Sequence, residues 1–274
     1  MAGVVQWLKI FENVSCFYRH MVMLPLWNKY PDYQSNNIHA LAIFLEGYAF
    51  ERQGRRPDYF HAAVDTLFKC AENNELKADE IWFYFSQLLK RKGLNIKNNP
   101  LYPSSNPDNL QNFGRVLSVI EAIPDFAYSI RTEIGNNSNL NECFSKLISI
   151  RGIKEKIASF YLRDLAVMLK LNLTNNSNRH LLQPIDIWVK RTVEFLSGKK
   201  DLDKGQVAEW IIQNAIQDDL NPEHINMGIW FYGAYIANSE YRLNKTLRKI
   251  DEAQNLIDEF YQRIKNVIQN CKIK

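Results

Sequence analysis

The sequence predicts an all-α fold, and three observations carry that prediction. Apolar residues recur at steps of three and four, as in Leu243, Leu247, Ile250, Ala253, Ile257, Phe260, Ile264 and Val267; that spacing puts them on one face of a helix. No stretch of useful length alternates apolar and polar residues with the period of two that a half-buried strand needs. The breaks between periodic stretches carry helix punctuation: Gly93 after 79–92, Pro124 after 112–123, and Asn221-Pro222 ahead of 223–237.

In chain order, a first helix is expected over 4–21, carrying Val4, Val5, Leu8, Phe11, Cys16 and Tyr18 and ended by Pro25 and Pro31. The stretch 38–52 is apolar nearly all round, which suits a buried helix. A helix over 58–71 presents Phe60, Ala63, Val64, Leu67 and Phe68 to one side. The next, 79–92, begins with acids and ends with bases, in keeping with the helix dipole. Residues 95–109 hold three prolines and five asparagines and read as a linker. Helices follow at 112–123 and 125–134, then one capped by Asn139 or Asn141 that runs into Leu147 and Ile148. Others are expected at about 155–170 and 187–196, from Lys204, at 223–237, and as one long amphipathic helix over 239–270. The stripe of that last helix must bury, so the C-terminal segment is expected to pack on the N-terminal helices. Two helical lobes result, one of residues 104–200 and one of 1–103 plus 201–274. A cleft between them is the natural ligand site.

Composition narrows the function classes. No apolar run approaches the ~18–20 residues that span a bilayer, so no membrane association is expected. The stretch 1–17 lacks a basic leader and a small-residue cleavage site, which points to an intracellular protein, expected to be monomeric. Cys16, Cys70, Cys143 and Cys271 lie far apart with no C-x-x-C pair, so four reduced thiols are expected. The five histidines have no H-x-x-x-H spacing, and neither a metal nor a cofactor is expected. Residues 146–200 hold eleven Lys/Arg against four Asp/Glu, a local net of +7 in a chain of formal net charge +4. That footprint suits a phosphate backbone as well as it suits a solvated basic surface.

Inside this basic block lie the candidate functional residues. An apolar helix ends at Ile150, and Arg151-Gly152-Ile153-Lys154 turns the chain. The next helix starts near Glu155. Unpaired backbone N–H groups at a helix start attract an anion, and Arg151, Lys154 and Lys156 add positive charge. Lys156 lies in the first turn, where the dipole disfavours its charged form, and partial burial would act the same way; both favour the amine that Schiff-base chemistry needs. Asp186, behind Gln183-Pro184-Ile185, opens another helix as an N-cap. Phe160 lies one turn after Lys156, and Trp82, Trp188 and Trp230 are further aromatic surfaces. Taken singly, each residue also suits a plain role: an ordinary αα-turn, a surface lysine, a helix cap, core aromatics.

Taken together, Gly152-Ile153-x-x-Lys156-Ile157-Ala158 followed by Pro184-Ile185-Asp186 resembles the helix–hairpin–helix DNA glycosylases with a Gly/Pro-rich loop and catalytic aspartate. With the helix 225–237, the chain looks most like the archaeal-type 8-oxoguanine branch. The resemblance implies a bifunctional DNA glycosylase/AP lyase acting on damaged double-stranded DNA in base excision repair. Lys156 would be the nucleophile and Asp186 its assistant. Phe160 and Trp230, with Trp82, would contact the flipped base. Arg151, Gly152, Ile153, Lys154, Trp188, Lys190 and Arg191 would line the DNA phosphates. The family usually has a second glycine where Lys154 stands and often a histidine where Trp188 stands, and the cysteines of its iron–sulfur branch are missing. Two other readings fit the same residues: a glycosylase of this fold for another damaged base, and a non-catalytic helix–hairpin–helix DNA-binding module.

Overall fold

Helical periodicity in the sequence becomes helix in the computed structural model, which describes residues 2–50, 57–72, 77–96, 138–150, 152–171, 173 and 177–265. In chain order the helices are α1 (Ala2–Tyr18), α2 (Leu24–Lys29), α3 (Asn37–Phe44), α4 (Pro57–Glu72), α5 (Ala78–Arg91) and α6 (Ser138–Ser149). They continue with α7 (Glu155–Met168), α8 (Ile187–Ser197), α9 (Lys204–Gln217), α10 (Pro222–Phe231), α11 (Glu240–Thr246) and α12 (Ile250–Ile264). Wider π-helical turns cover Arg19–Met23, Leu45–Phe50 and Tyr232–Ala237, and a 3-10 turn covers Arg179–Leu182. The fold is all-α, with no strand among the described residues. The helices expected at 112–123 and 125–134, and most of the Asn-rich linker, lie outside the described residues.

Contacts divide the chain into two compact units, residues 26–181 and residues 1–25 with 182–274. The sequence had suggested divisions at 104 and 200; residue 104 lies outside the described residues.

In the unit of residues 26–181, α3 starts where the Asn36 side chain accepts hydrogen bonds from the N–H groups of Ile38 and His39. The apolar run from α3 through Phe50 is buried, as its composition requires: Leu41, Phe44, Leu45, Tyr48 and Phe50 have almost no exposure. Tyr161 of α7 packs edge-on against Phe44 and Tyr48, with ring centroids 5.0 and 5.1 Å away. These aromatic contacts dock α7 on the buried helix and leave its first turn outward.

In the other unit, α1 lies against α10. The approach is so close that a Cβ on Gly228 would overlap the Phe11 carbonyl, which accounts for a glycine inside an apolar helix. Phe17 of α1 meets Phe260 of α12 edge-on at 5.6 Å. The C-terminal segment thus packs on the N-terminal helix, as its stripe demanded.

Three expectations need correction. Pro25 does not end the first helix: the chain stays helical from α1 through the wider turn Arg19–Met23 into α2, and Pro25 directly follows that wider turn, where the Leu24 N–H reaches back to the Arg19 carbonyl. The long helix expected over 239–270 is broken at Leu247–Lys249, where Lys249 turns extended (φ −142°) and starts α12. Leu243 and Thr246 bury on one side of that break and Ala253, Ile257 and Phe260 on the other, so an unbroken stripe in sequence serves two helices. Finally, Cys16 is disulfide-bonded, whereas Cys70 and Cys143 are buried free thiols; separation along the chain does not show which thiols meet in space.

Among the described residues no helix is long and apolar enough to cross a membrane.

Candidate functional site

The residues singled out in the sequence fall in both units. Arg151 lies outside the described residues.

The hairpin belongs to the unit of residues 26–181. It is anchored by Ile150 and Ile153, which are buried at 1% and 2% exposure, and closed by the Ile153 N–H donating to the Ile150 carbonyl at 3.0 Å. Between them Gly152 takes φ +83°, a conformation that costs other residues ~1–2 kcal/mol. Lys154, in place of a second glycine, has φ −109° and ψ 171°. That is ordinary extended backbone, so the substitution carries no strain. Lys154 makes no side-chain cap for α7, and the start of the helix is left without one. Lys154 and Lys156 are both exposed, and the partial burial considered for Lys156 is not found.

Along α7 the residues 156, 160 and 163 share one face. Phe160 is buried at 3% exposure, and the Arg163 guanidinium lies 4.8 Å from its ring centroid. Arg163 and Asp164 form a fully buried ion pair: Nη2 and Nε of Arg163 donate to Asp164 Oδ1 at 2.7 and 2.9 Å. Asp164 Oδ2 accepts from the Tyr48 hydroxyl at 2.8 Å, and that hydroxyl accepts from Trp27 Nε1 at 3.3 Å. Sequence reasoning missed this network. The available signal was an Arg-Asp pair inside a helix whose other interior residues are apolar, since buried charges have to be paired. Trp82, on α5, is half-buried with its ring edge-on to Phe85 at 5.9 Å.

Asp186 belongs to the other unit and caps α8. Its Oδ1 accepts from the N–H groups of Trp188 and Val189 at 2.9 and 3.0 Å, which holds the carboxylate in a fixed orientation. The segment in front of it is pinned by polar side chains of α10. Gln183 Nε2 donates to Glu223 Oε1 at 3.3 Å, and Asn226 Nδ2 donates to the Pro184 carbonyl at 3.3 Å. Gln183, Glu223 and Asn226 are all buried. They too were overlooked, although an acid and an amide three residues apart in so apolar a helix were visible. Trp188 packs on Gly233, where a Cβ would come within 2.7 Å of the Trp188 Cβ. Lys190 approaches Glu194 at 3.6 Å, and Arg191 Nη2 lies 2.8 Å from Glu240 Oε2. Trp230 is half-buried between Tyr18 and Tyr235, each edge-on at 5.6 Å.

Among the described residues no group of three or more His, Cys, Asp or Glu is placed to hold a metal ion. The candidate residues offer an exposed amine on a helix start, a fixed carboxylate, half-buried indoles and basic side chains.

No family model matches the chain. An uncharacterized protein of Methanocaldococcus jannaschii is 24% identical over 217 residues, which cover 70% of this chain and 49% of that protein. The chain thus spans about half the length of the curated relative it matches. No solved structure matches it.

Proposed function

We propose that this protein is a bifunctional DNA glycosylase/AP lyase that removes an oxidised purine, 8-oxoguanine in the first instance, from duplex DNA in base excision repair. The observation that carries the reading is the hairpin geometry. Gly152 at φ +83° joins two helices, the second starts without a side-chain cap, and Lys156 stands exposed in its first turn. Such a start accepts a DNA phosphate without reading sequence. In this reading the Lys156 amine attacks C1′, the bond to the base breaks, and the base leaves with a proton. The opened sugar becomes a Schiff base on Lys156, and β-elimination breaks the C3′–O bond. Asp186, held by its two cap hydrogen bonds, stabilises positive charge at the sugar and relays protons.

Phe160 takes a different part from the one its spacing suggested. With its ring covered by Arg163, it supports the turn that carries Lys156, and contact with the flipped base falls to Trp230 and Trp82. Lys154, Lys190 and Arg191 hold phosphates. The substrate places the protein inside the cell, with the genome. Borohydride trapping on a duplex containing 8-oxoguanine tests the chemistry: a covalent adduct is expected, and Lys156→Gln abolishes it. No adduct on any oxidised or abasic duplex would sink the lyase reading, and a panel of damaged bases separates 8-oxoguanine from other lesions.

A second reading, a non-catalytic helix–hairpin–helix DNA-binding module, is favoured by the engagement of Asp186 Oδ1 in its cap and by the covered ring of Phe160. It predicts salt-sensitive duplex binding that survives Lys156→Gln, with no strand cleavage.

A further inference from the structure

We propose that the outer face of α11 and the turn after it forms a second DNA-phosphate track, continuous with Lys190 and Arg191 of α8; this rests on the DNA reading above. The sequence reading located the basic footprint in residues 146–200 and passed over this one. Between Tyr241 and Arg248 the backbone stays close to helical, since Leu247 N–H donates to the Leu243 carbonyl at 2.9 Å and Arg248 N–H to the Lys245 carbonyl at 3.4 Å; Lys249 follows in extended backbone. Residues 241, 245 and 248 therefore align at i, i+4 and i+7, with 242 beside them and 249 just past the helical stretch. All five are exposed, and Tyr241 is 76% exposed. The opposite side, Leu243, Thr246 and Leu247, is buried. One face of about two turns thus presents Tyr241, Arg242, Lys245 and Arg248, and Lys249 follows at the turn.

These cations are unevenly neutralised. Lys245 and Lys249 share Glu252, at 3.2 and 3.0 Å, and their hydrogen bonds, that of Lys249 first, hold the Glu252 carboxyl below its usual range. Arg242 and Arg248 form no ion pair among the described residues. Continuity with α8 comes from the Arg191–Glu240 pair at 2.8 Å, which sets the first half of α8, where Lys190 and Arg191 lie, beside the first turn of α11. Two unpaired guanidinium groups and an exposed phenol hydroxyl on one helical face match the donors that grip phosphate oxygens without reading bases. The occupant is the sugar–phosphate backbone of duplex DNA flanking the lesion.

The test is fluorescence anisotropy of the full chain with a labelled 8-oxoguanine duplex over a series of salt concentrations. Arg242→Ala/Arg248→Ala is compared with wild type and with Lys9→Ala/Lys92→Ala, which removes the same charge from exposed sites elsewhere. Each lost phosphate contact lowers the slope of log K against log salt by about 0.9. The arginine double variant is expected to lose about two from that slope and to bind roughly ten-fold more weakly at low salt, while the control keeps both. An unchanged slope in the arginine variant overturns the proposal, and so does an equal drop in the control. Binding to vesicles of anionic phospholipid in place of DNA overturns it too. If wild type binds no duplex, the DNA reading falls with it. If the slope changes as expected but no borohydride adduct forms, only the lyase reading falls.

Discussion

Single residues carry the separable roles. Lys156 is exposed and makes no packing contribution, so Lys156→Gln is expected to change unfolding free energy by less than ~0.5 kcal/mol while abolishing Schiff-base trapping; denaturant titration beside the trapping assay checks both. Asp186 caps α8 and, under the proposed function, also assists the chemistry, two jobs that one substitution can split. Asn caps a helix about as well as Asp, whereas Ala loses ~0.5–2 kcal/mol. Asp186→Asn is thus expected to keep the melting temperature and to slow base release by an order of magnitude or more, and Asp186→Ala to lower both. Equal melting temperatures for Asn and Ala would remove the cap from the account. Gly152→Ala must hold φ +83° with a Cβ, at ~1–2 kcal/mol, and is expected to weaken duplex binding through the distorted turn. The same substitution logic clears Lys154, whose extended backbone accepts any side chain.

At the scale of elements, α7 is set by a buried charge pair as much as by apolar contacts. Arg163→Met leaves Asp164 buried without its main partner, a loss of ~3–5 kcal/mol, although the Tyr48 hydrogen bond remains. Arg163→Met combined with Asp164→Leu removes both charges and is expected to recover most of that loss, a comparison that urea unfolding makes directly. Helix existence was legible from periodicity: the buried run 38–50, α4, α5, α8 and α9 fall where the spacing put them, but the buried face of α4 is turned by about one residue, since Tyr59, Ala62, Thr66 and Cys70 bury beside Ala63 and Leu67 while Phe60, Val64 and Phe68 are half-buried. Helix continuity was not. Pro25 does not interrupt the helical path, which widens into the π turn Arg19–Met23 just ahead of it, and the break at Leu247–Lys249 is hidden because both flanking helices keep the same apolar period. The local structure of the candidate site was legible where backbone and residue type coincide, as in the turn at Gly152 and the cap at Asp186. The Arg163–Asp164–Tyr48 network was not, because Tyr48 lies 116 positions from its partner and nothing local links them.

Over the whole molecule, buried phenols and a thiol set the alkaline limit of stability. Burial pushes Tyr232 up to about 12, partly offset by its hydrogen bond with Thr246, and pushes the Cys143 thiol up to about 12. Tyr161 is raised well above its usual value by burial, and Tyr30 is raised by burial and by donating to Glu46 at 2.6 Å. Each group is protonated in both states below its unfolded value, so its contribution is fully present there. As pH rises past about 9 for the thiol and about 10 for the phenols, the unfolded chain releases protons that the folded chain keeps, and stability falls toward pH 12. Denaturant midpoints measured from neutral to alkaline pH are expected to drop steeply above about pH 10; a flat profile there would contradict the buried placement of these groups.

The central claim, that the exposed amine at the start of α7 performs chemistry on DNA, is tested most directly by borohydride trapping followed by peptide mapping of the adduct. An 8-oxoguanine duplex incubated with wild type and borohydride is expected to yield a covalent complex linked through Lys156, absent in Lys156→Gln, which still binds the duplex. A complex linked through a different lysine, or none on any oxidised or abasic duplex, would contradict it.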